Sequence, residues 1–468
     1  MTFPGAEHGV PDAAPAAYGA LDVDKELRRE SRDIASRLAS IRHDVSFIDA
    51  VADAFYPLPV VANLRCGAWY TRPERTAGAA YFKSTDGHMH QWQFSLKRSN
   101  LHLVPLIERG AGDDEPTGCI IVDSTRRGKR FPDALSKTVP IWCTVLNTAS
   151  HRRFGTPTVP ELVVPQSVSP SEREQIAALV FQWAVSLLES DLEVPHLRRP
   201  LCPVFVHPPD IPPVFLGTTQ HSVVLVCASD IEGPQLSPLT YVQGAGDDHE
   251  SWALGLTPEL YWKHAHELST LAYNRASLSS RIEELVAEAK LSGERIEWFS
   301  AAAKNEARIS GTPIDVKVCS LQGISDTDYL LKVYYSNSPV EEPASSLLCL
   351  HVSSGKRGLT DFSVRLRSTV DAVTHALDRG NGRVLLACAD GQLSGALAVA
   401  VLAASFDNAR QLVGASDDDP RRIDHRHTLS KDATRRRLQW LVGSGGTAPS
   451  RALLQRVNSF LIGPQRAY

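Results

Sequence analysis

Residues 384–395 read Val-Leu-Leu-Ala-Cys-Ala-Asp-Gly-Gln-Leu-Ser-Gly and decide the fold class of the second half of the chain. The apolar run predicts a buried strand from Gly382 to Cys388, and the apolar residues after Ser394 predict a helix that ends near Phe406. A predicted helix, 361–377, and a predicted strand, 346–352, come before them. Strands that alternate with helices predict an α/β domain with a parallel sheet.

The first half of the chain is also mixed α/β in its pattern. Cys119-Ile-Ile-Val122 predicts a buried strand, and 100–104 predicts another. Residues 81–94 alternate around Asp86-Gly87, which predicts a β-hairpin. Ser169-Pro170 with Glu172 predicts the start of a helix.

The composition and an interruption of the helical pattern predict that the chain is divided into three segments. Residues 1–20 are predicted to be a disordered tail because they are rich in small residues and proline. Gly311-Thr-Pro313 interrupts a charged helical segment, so we expect one domain over 21–312 and a second over 313–468.

The overall charge and the cysteine pattern exclude several classes of protein. A net charge of −4 excludes binding of nucleic acid through bulk positive charge, so such binding would need local patches. No apolar run is long enough to span a bilayer. The eight cysteines show no CxxC pair, which argues against a zinc ribbon. Their apolar surroundings indicate reduced thiols, and we predict a cytoplasmic protein without zinc.

A basic loop follows the strand at 119–122 and carries the strongest chemical signal. Asp123 ends the strand, and two hydroxyls, a glycine and four cations come next. Residues 118–147 contain five Lys or Arg against two Asp, a local charge of +3 in an acidic protein. Guanidinium groups, a lysine, hydroxyls and a glycine backbone suit a ligand with several phosphates. A solvated basic turn is the alternative.

Four further segments have possible chemical roles. Residues 83–88 place a cation, hydroxyls, a carboxylate and an imidazole around the predicted turn, where Asp86 or His88 could accept a proton. Residues 244–250 follow two glycines with acids that could hold Mg²⁺ or ribose hydroxyls. Cys388 to Gly395 resembles the phosphate loop of tyrosine phosphatases, but Ser394 stands where those enzymes have arginine. Phosphatase activity is therefore doubtful, although a helix start could still bind a phosphate. Residues 421–437 add a basic stretch suited to an RNA backbone.

Several of these blocks together resemble the initiator tRNA phosphoribosyl-transferase family of fungi and plants. The blocks are 63–70, 81–88, 92–103, 121–138 and 243–250, and the similarity runs from about residue 21 to the end of the chain. The resemblance implies transfer of 5-phosphoribosyl from phosphoribosyl pyrophosphate to the 2′-hydroxyl of a T-stem purine of initiator methionine tRNA. It also implies a phosphatase-like C-terminal domain that contacts tRNA, and Mg²⁺ that accompanies the donor.

Combined with the resemblance, the chemical signals predict a role for each candidate residue. The candidates for the proton acceptor are Asp86, His88 and Asp123. The donor phosphates would be bound by Lys83, Ser84, Thr85, Ser124, Thr125, Arg126, Arg127, Gly128, Lys129 and Arg130. Ribose or metal would be bound by Asp247, Asp248, His249 and Glu250. The C-terminal phosphate loop would comprise Cys388, Ala389, Asp390, Gly391, Gln392, Leu393, Ser394 and Gly395.

Two other functions stay open on the sequence alone. A phosphatase that uses Cys388 as its nucleophile would hydrolyse an aryl phosphate. A protein that binds initiator tRNA without chemistry would mark it by occupancy.

Overall fold

A computed structural model describes most of the chain in two α/β halves. The described residues are 33–109, 115–126, 128–155, 161–212, 216–292, 306–319, 329–336, 347–353, 355–380, 382–388, 390–414, 425 and 429–462. The predicted tail, 1–20, lies outside them.

The first half is built on a five-stranded sheet in which every neighbouring pair is parallel. In chain order the strands are Val60–Asn63 (β1), Thr76–Ala80 (β2), Thr117–Asp123 (β3), Leu201–Val206 (β4) and His221–Cys227 (β5). Their order in the sheet is β2-β1-β3-β5-β4, so β3 is central. Every residue of β3 and β5 is buried, as expected for strands covered on both faces.

Helices cover both faces of this sheet. They are Ile34–Ala54 (α1), Val104–Ile107 (α2), Val139–Phe154 (α3), Pro170–Leu188 (α4), Pro258–Lys263 (α5), Ala265–Leu271 (α6) and Arg275–Ser292 (α7). Ile120 and Val122 pack in the core that includes α1 and α7, whereas Cys119 and Ile121 pack in the core that includes α3 and α4. Alternate residues of one strand therefore serve two cores.

The second half has a second five-stranded sheet. Its strands are Glu306–Arg308 (β6), Ile314–Val318 (β7), Tyr329–Ser336 (β8), Leu347–His351 (β9) and Arg383–Cys388 (β10), in the order β6-β7-β10-β8-β9. Only the β6–β7 pair is antiparallel among the described strands. The helices are Gly355–Arg379 (α8), Gly391–Ser405 (α9), Lys431–Gly443 (α10) and Arg451–Ile462 (α11). The α/β fold class is confirmed. The predicted division after residue 312 falls between β6 and β7.

Two local predictions in the first half are wrong. Residues 84–87 form a 3₁₀ helix rather than a hairpin turn, and residues 101–103 form another 3₁₀ helix rather than a strand. Successive turns satisfy the backbone here, with Asp86 N bonded to Lys83 O and Gln93 N to Asp86 O. The alternation of 81–94 comes from buried or half-buried aromatic residues in a turn-rich segment, and not from a strand.

Candidate active site

The polar residues of the first half converge at the carboxyl ends of its parallel strands. Asn63 ends β1, Asp123 ends β3 and Cys227 ends β5, and Asp123 lies opposite Cys227 in the register. Loops at this edge of a parallel α/β sheet are the usual place for a ligand site.

Asp123 is the centre of this edge and is fully buried. Its Oδ2 accepts hydrogen bonds from Asn63 Nδ2 at 2.8 Å and from Arg65 Nε at 3.0 Å. Its Oδ1 accepts from Arg65 Nη2 at 3.0 Å, Cys66 Sγ at 2.9 Å and the Ser124 amide at 2.8 Å. Both oxygens of this carboxylate are therefore already occupied by donors from the protein, which leaves them poorly placed to accept a proton from a substrate.

Arg65 connects Asp123 to a distant acidic loop. Its Nη1 donates to Asp247 Oδ1 at 2.9 Å, and its Nη2 also donates to the Ser124 carbonyl oxygen. Burial alone would lower the pKa of Arg65, but the adjacent Asp123 carboxylate raises it above its ordinary value, so the guanidinium stays charged. Sequence reasoning did not assign Arg65 a role, although its position just after a strand could have indicated one.

The basic loop at 124–130, here the cation loop, packs against the loop at 243–250, here the glycine-acid loop. The Gly128 amide donates to Gln243 Oε1 at 2.7 Å, and Gln243 Nε2 donates to the Lys129 carbonyl at 2.9 Å. Gly244 has φ +66°, and a Cβ there would lie 2.4 Å from the Thr125 carbonyl oxygen. Glycine at 244 therefore permits the two loops to touch.

Ion pairs also join these two loops. Arg126 Nη1 lies 2.5 Å from Asp248 Oδ2, and Arg126 Nε lies 3.7 Å from Asp247 Oδ2. Asp247 thus lies between Arg65 and Arg126. His249 packs its ring 5.9 Å from that of Trp69, and the Glu250 side chain is exposed.

Three groups outside the predicted site fix the glycine-acid loop. The Gly246 amide donates to the buried Tyr70 hydroxyl at 2.8 Å. Arg37 Nη1 donates to the Ala245 carbonyl at 2.7 Å, and Trp252 Nε1 donates to the Asp247 carbonyl at 3.0 Å. The backbone of this loop is therefore held in place from both sides, while Asp248 and Glu250 stay open to solvent.

The segment at 83–88 reaches the cation loop through Asp133. His88 Nε2 and Lys129 Nζ each lie 3.6 Å from Asp133 Oδ2. A Cβ at Gly87 would lie 2.6 Å from the Asp133 carbonyl oxygen. Gly87 therefore allows a close backbone approach here, rather than a hairpin turn.

Asp86, although close in sequence to His88, is buried and bound to Arg98. Arg98 Nη2 lies 2.7 Å from Asp86 Oδ2 and 2.8 Å from Oδ1, and Gln93 Nε2 lies 2.8 Å from Oδ1. This carboxylate orders its own segment and is not directed at a substrate. Among the three candidates for the proton acceptor, only His88 has a side chain that is largely accessible, at 46% exposure.

The predicted phosphate-binding residues differ in accessibility. Ser124 and Thr125 are buried, and Ser229 Oγ donates to the Thr125 carbonyl oxygen at 2.7 Å. Ser84 is half-buried and Arg126 is 40% exposed. The exposed residues are Lys83, Thr85, Gly128, Lys129 and Arg130. Arg127 lies outside the described residues.

A preformed metal site is not found at this edge. Within the described parts of the chain, no group of three or more His, Cys, Asp or Glu is arranged to hold a metal ion. Asp247 and Asp248 are instead paired with arginines. The residues present therefore do not fit a resident metal ion.

At the predicted C-terminal phosphate loop, the carboxylate of Asp390 lies at the helix start where a phosphate would bind. Asp390 caps α9, its Oδ1 accepting from the Gln392 amide at 2.9 Å, and the Asp390 amide donates to Cys388 Sγ at 3.2 Å. Gly391 and Gly395 pack against Thr447, Leu393 and Ser394 are buried, and Gln392 is exposed. Ala389 lies outside the described residues. The Asp390 carboxylate at the N-cap already accepts from the helix start and would repel a phosphate there, so this geometry disfavours an anion site at α9.

The described part of the basic stretch at 421–437 contains one buried arginine and several exposed cations. Arg437 is buried, stacks 4.3 Å from the Trp440 ring centre and donates to the Phe406 carbonyl oxygen at 2.7 Å. Burial lowers the pKa of Arg437 to about 10. Arg436 Nε lies 3.7 Å from Asp191 Oδ2 of the first half. Lys431 and Arg435 are exposed, and 421–424 and 426–428 lie outside the described residues.

Comparisons with known proteins cover nearly the whole chain. The Rit1 N-terminal domain matches residues 27–287, and the Rit1 DUSP-like domain matches residues 346–461. A Saccharomyces cerevisiae protein named tRNA A64-2′-O-ribosylphosphate transferase is 29% identical over 500 residues, which cover 94% of each chain. An uncharacterized Schizosaccharomyces pombe protein is 30% identical over 484 residues, 95% of this chain and 98% of its own length. No solved structure matches.

The predicted phosphatase-like α/β domain agrees with the match to the DUSP-like domain. Among the described helices, none is both long and apolar enough to cross a membrane.

Proposed function

This chain belongs to the Rit1 family, and on that premise we propose that it is a pentosyltransferase that modifies tRNA. The name of the S. cerevisiae relative, a tRNA ribosylphosphate transferase, supports this activity. The proposed donor is phosphoribosyl pyrophosphate, and the proposed acceptor is the 2′-hydroxyl of a T-stem purine in initiator methionine tRNA. The modified tRNA would be excluded from elongation. We also propose a cytoplasmic location.

The contact between the cation loop and the glycine-acid loop is the observation that carries this proposal. It sets Arg126 beside Asp247 and Asp248, and it holds the backbone of Gly128 and Lys129 against Gln243. A phosphorylated sugar needs cations for its phosphates and acceptors for its hydroxyls within one molecular length. The two loops supply both.

The donor phosphates would bind the accessible cations. Arg126 presents a planar fork of donors that suits a phosphate, whereas Lys129 and Arg130 add exposed charge. Arg126 must exchange its Asp248 partner for phosphate when the donor binds. Asp248, 56% exposed, is then free to accept a hydrogen bond from a ribose hydroxyl.

Arg65 and Asp123 would position the site and not touch the reacting atoms. The Arg65 guanidinium holds Asp247 Oδ1, while Asp247 Oδ2 faces Arg126. This fixes the side of Asp247 that meets the donor. The carboxylate of Asp247, held in this position before the donor binds, would stabilise the positive charge that develops on the ribose ring as the leaving group departs.

His88 is our proposed proton acceptor. The 2′-oxygen of the acceptor attacks the anomeric carbon of the donor, and its proton passes to the imidazole. The bond from that carbon to the diphosphate oxygen breaks, and pyrophosphate leaves with the electron pair. Asp133, 3.6 Å from His88 Nε2, orients the ring. Asp86 and Asp123, bound to Arg98 and Arg65, would keep structural roles.

Mg²⁺ is proposed only as a companion of the donor. The described acids form no metal-binding group, and Asp247 and Asp248 pair with arginines, so the ion would be held by the phosphates of the donor.

The proposal is tested by incubating the protein with initiator tRNA and labelled phosphoribosyl pyrophosphate. Wild-type protein should leave covalent label on the tRNA, and Arg126→Gln should lower the rate at least about a hundredfold. Arg173→Gln, at an exposed residue of α4, is the matched control and should transfer at the wild-type rate. Absence of label with the wild-type protein would refute the proposed function.

The role of His88 has its own test. His88→Gln should lower kcat about a hundredfold, because a general base typically contributes that much, while KM for tRNA stays near the wild-type value. A variant with wild-type kcat would remove His88 from the mechanism.

The same labelling experiment separates the two alternatives. A non-catalytic tRNA-binding protein would bind tRNA and leave no label. A phosphatase would hydrolyse an aryl phosphate, and Cys388→Ser would abolish that hydrolysis. The serine at 394 and the carboxylate of Asp390 at the start of α9 both argue against it.

A further inference from the structure

Residues 88–91, here the projecting turn, form an exposed segment next to the proposed site. His88, Met89, His90 and Gln91 are all exposed, and Met89 shows 55% of its surface to solvent. The backbone of His90 is left-handed, with φ 61°. Left-handed backbone outside glycine and exposed apolar side chains both cost free energy, and such features often belong to functional surfaces.

The chain on both sides of the projecting turn is firmly anchored. Before it, buried Asp86 is bound by Arg98 and Gln93. After it, Trp92 Nε1 donates to Glu172 Oε1 at 3.2 Å, and the buried Lys137 holds the same oxygen at 3.0 Å. The turn is therefore tied to the fold at both ends, which lowers the entropy cost of binding a partner.

The surroundings of the turn are cationic, whereas the turn itself carries neutral side chains at 89 and 91 and an imidazole at 90. Lys129 shares Asp133 with His88. Lys83 is exposed a few residues earlier, and Lys97 is exposed in the 3₁₀ helix that carries Arg98. Hydrogen-bonding side chains among cations match an RNA groove, where base edges and sugars lie between two phosphate strands.

The position of the acceptor hydroxyl determines which groove of the RNA the turn would enter. In duplex RNA the 2′-hydroxyls line the wide and shallow minor groove, which side chains can enter. If His88 takes the proton of such a hydroxyl, the adjacent residues 89–91 must lie in that same groove.

We propose that residues 89–91 enter the minor groove of the acceptor RNA helix, with His90 and Gln91 bonding to 2′-hydroxyls and base edges and Met89 covering a sugar. This inference rests on the proposed function because it takes duplex RNA as the acceptor. It gives the projecting turn the role of distinguishing RNA from DNA, a role that phosphate contacts cannot perform.

The test compares the double variant His90→Ala/Gln91→Ala with wild-type protein. The matched control is His266→Ala/Gln182→Ala, which removes the same two side-chain types from exposed positions on α6 and α4. The probes are an RNA hairpin with the sequence of the T arm and a DNA hairpin of the same sequence. Binding is measured by fluorescence anisotropy over a range of salt concentrations, and each protein is first checked for wild-type thermal unfolding.

We expect the double variant to bind the RNA hairpin at least about tenfold more weakly, while its affinity for the DNA hairpin is unchanged. The salt dependence of RNA binding should keep its slope, because no phosphate contact is removed. The control should behave as the wild type. Unchanged RNA affinity, or an equal loss for RNA and DNA, would overturn the inference.

The labelled-donor assay separates this inference from the proposed function. If the wild type leaves no label but its preference for RNA depends on His90 and Gln91, the transfer function fails and the groove contact stands. If the wild type leaves label and the double variant has wild-type KM for tRNA, the groove contact fails and the transfer function stands.

Discussion

At the scale of single residues, Arg65 determines how the site is arranged. Its side chain is 18% exposed and bonds to one carboxylate from a strand and one from a loop. Asp123 has no exposure at all, so its charge depends on the arginine for compensation. Replacement of Arg65 should therefore affect stability as well as activity.

We expect Arg65→Ala to lower the free energy of unfolding by about 3 kcal/mol, because it leaves a buried carboxylate without its partner. Adding Asp123→Asn should restore at least about 1 kcal/mol, since the uncompensated charge is then gone. Urea denaturation of the two single variants and the double variant measures this. Arg72→Ala, which breaks a more exposed pair with Asp49, should cost less than about 1 kcal/mol. Strictly additive losses in the double variant would contradict the assignment.

Asp44 on α1 gives a prediction about pH. The carboxyl is buried, its Oδ1 accepts from the Tyr241 hydroxyl at 2.9 Å, and its Oδ2 has no hydrogen-bond partner among the described residues. Burial raises the pKa of Asp44 well above its ordinary value of 3.8. At pH values between 3.8 and the raised pKa, the folded state therefore holds a proton that the unfolded chain releases. The contribution of Asp44 to the free energy of unfolding is complete below about pH 3.8 and is lost as the pH rises through the raised pKa.

Asp44→Asn should then stabilise the protein relative to wild type, and more strongly at high pH. The advantage should grow by up to about 1.4 kcal/mol for each pH unit below the raised pKa. Urea denaturation at about pH 5 and about pH 8 provides the measurement. An equal difference between variant and wild type at both pH values would show that Asp44 does not titrate in this range.

At the scale of elements, the central strand was predictable and the segment at 81–104 was not. The run Cys119–Val122 is apolar throughout, so it could only be a buried strand, and Asp123 at its end marked the site. The alternation at 81–94 is set by contacts with residues far along the chain, including the bond from Trp92 to Glu172. No local pattern reveals such partners. Arg65 was missed for the same reason, because Asp247 is 182 positions away.

Gly244 tests the contact between the two loops. Gly244→Ala and the matched control Gly155→Ala both place a side chain on left-handed backbone, with φ +66° and +72°, and this backbone strain alone should cost each about 1 kcal/mol of stability. A Cβ at 155 meets no atom of the described residues within 4 Å, whereas at 244 it would overlap the Thr125 backbone. Only Gly244→Ala should therefore slow transfer, by at least about tenfold in the labelled-donor assay. Equal rates for the two variants would contradict the proposed role of the contact.

At the scale of the whole molecule, basic residues of the second half serve as structural contacts with the first. Arg410 Nη2 donates to the Asp191 carbonyl oxygen at 2.9 Å, and Arg436 pairs with the side chain of the same aspartate. Arg437 lies inside the second half, where burial lowers its pKa. A basic run in the sequence indicated RNA, but a sequence cannot tell which guanidinium groups are buried. Lys431, Arg435 and Arg436 are exposed on α10, and Arg435 also pairs with Asp432 at 2.7 Å.

The hydrogen bonds of Arg65 join segments that are synthesised at different times, which affects when the site can form in the nascent chain. The two carboxylates that it holds lie 58 and 182 positions further along the chain. The amino-terminal segments leave the ribosome well before the glycine-acid loop is translated, and until then Arg65 and Asp123 have no Asp247 to join. A nascent chain stalled before that loop would lack the acidic side of the pocket, so the capacity to bind donor should arise late in translation, when nearly all of the first half has emerged.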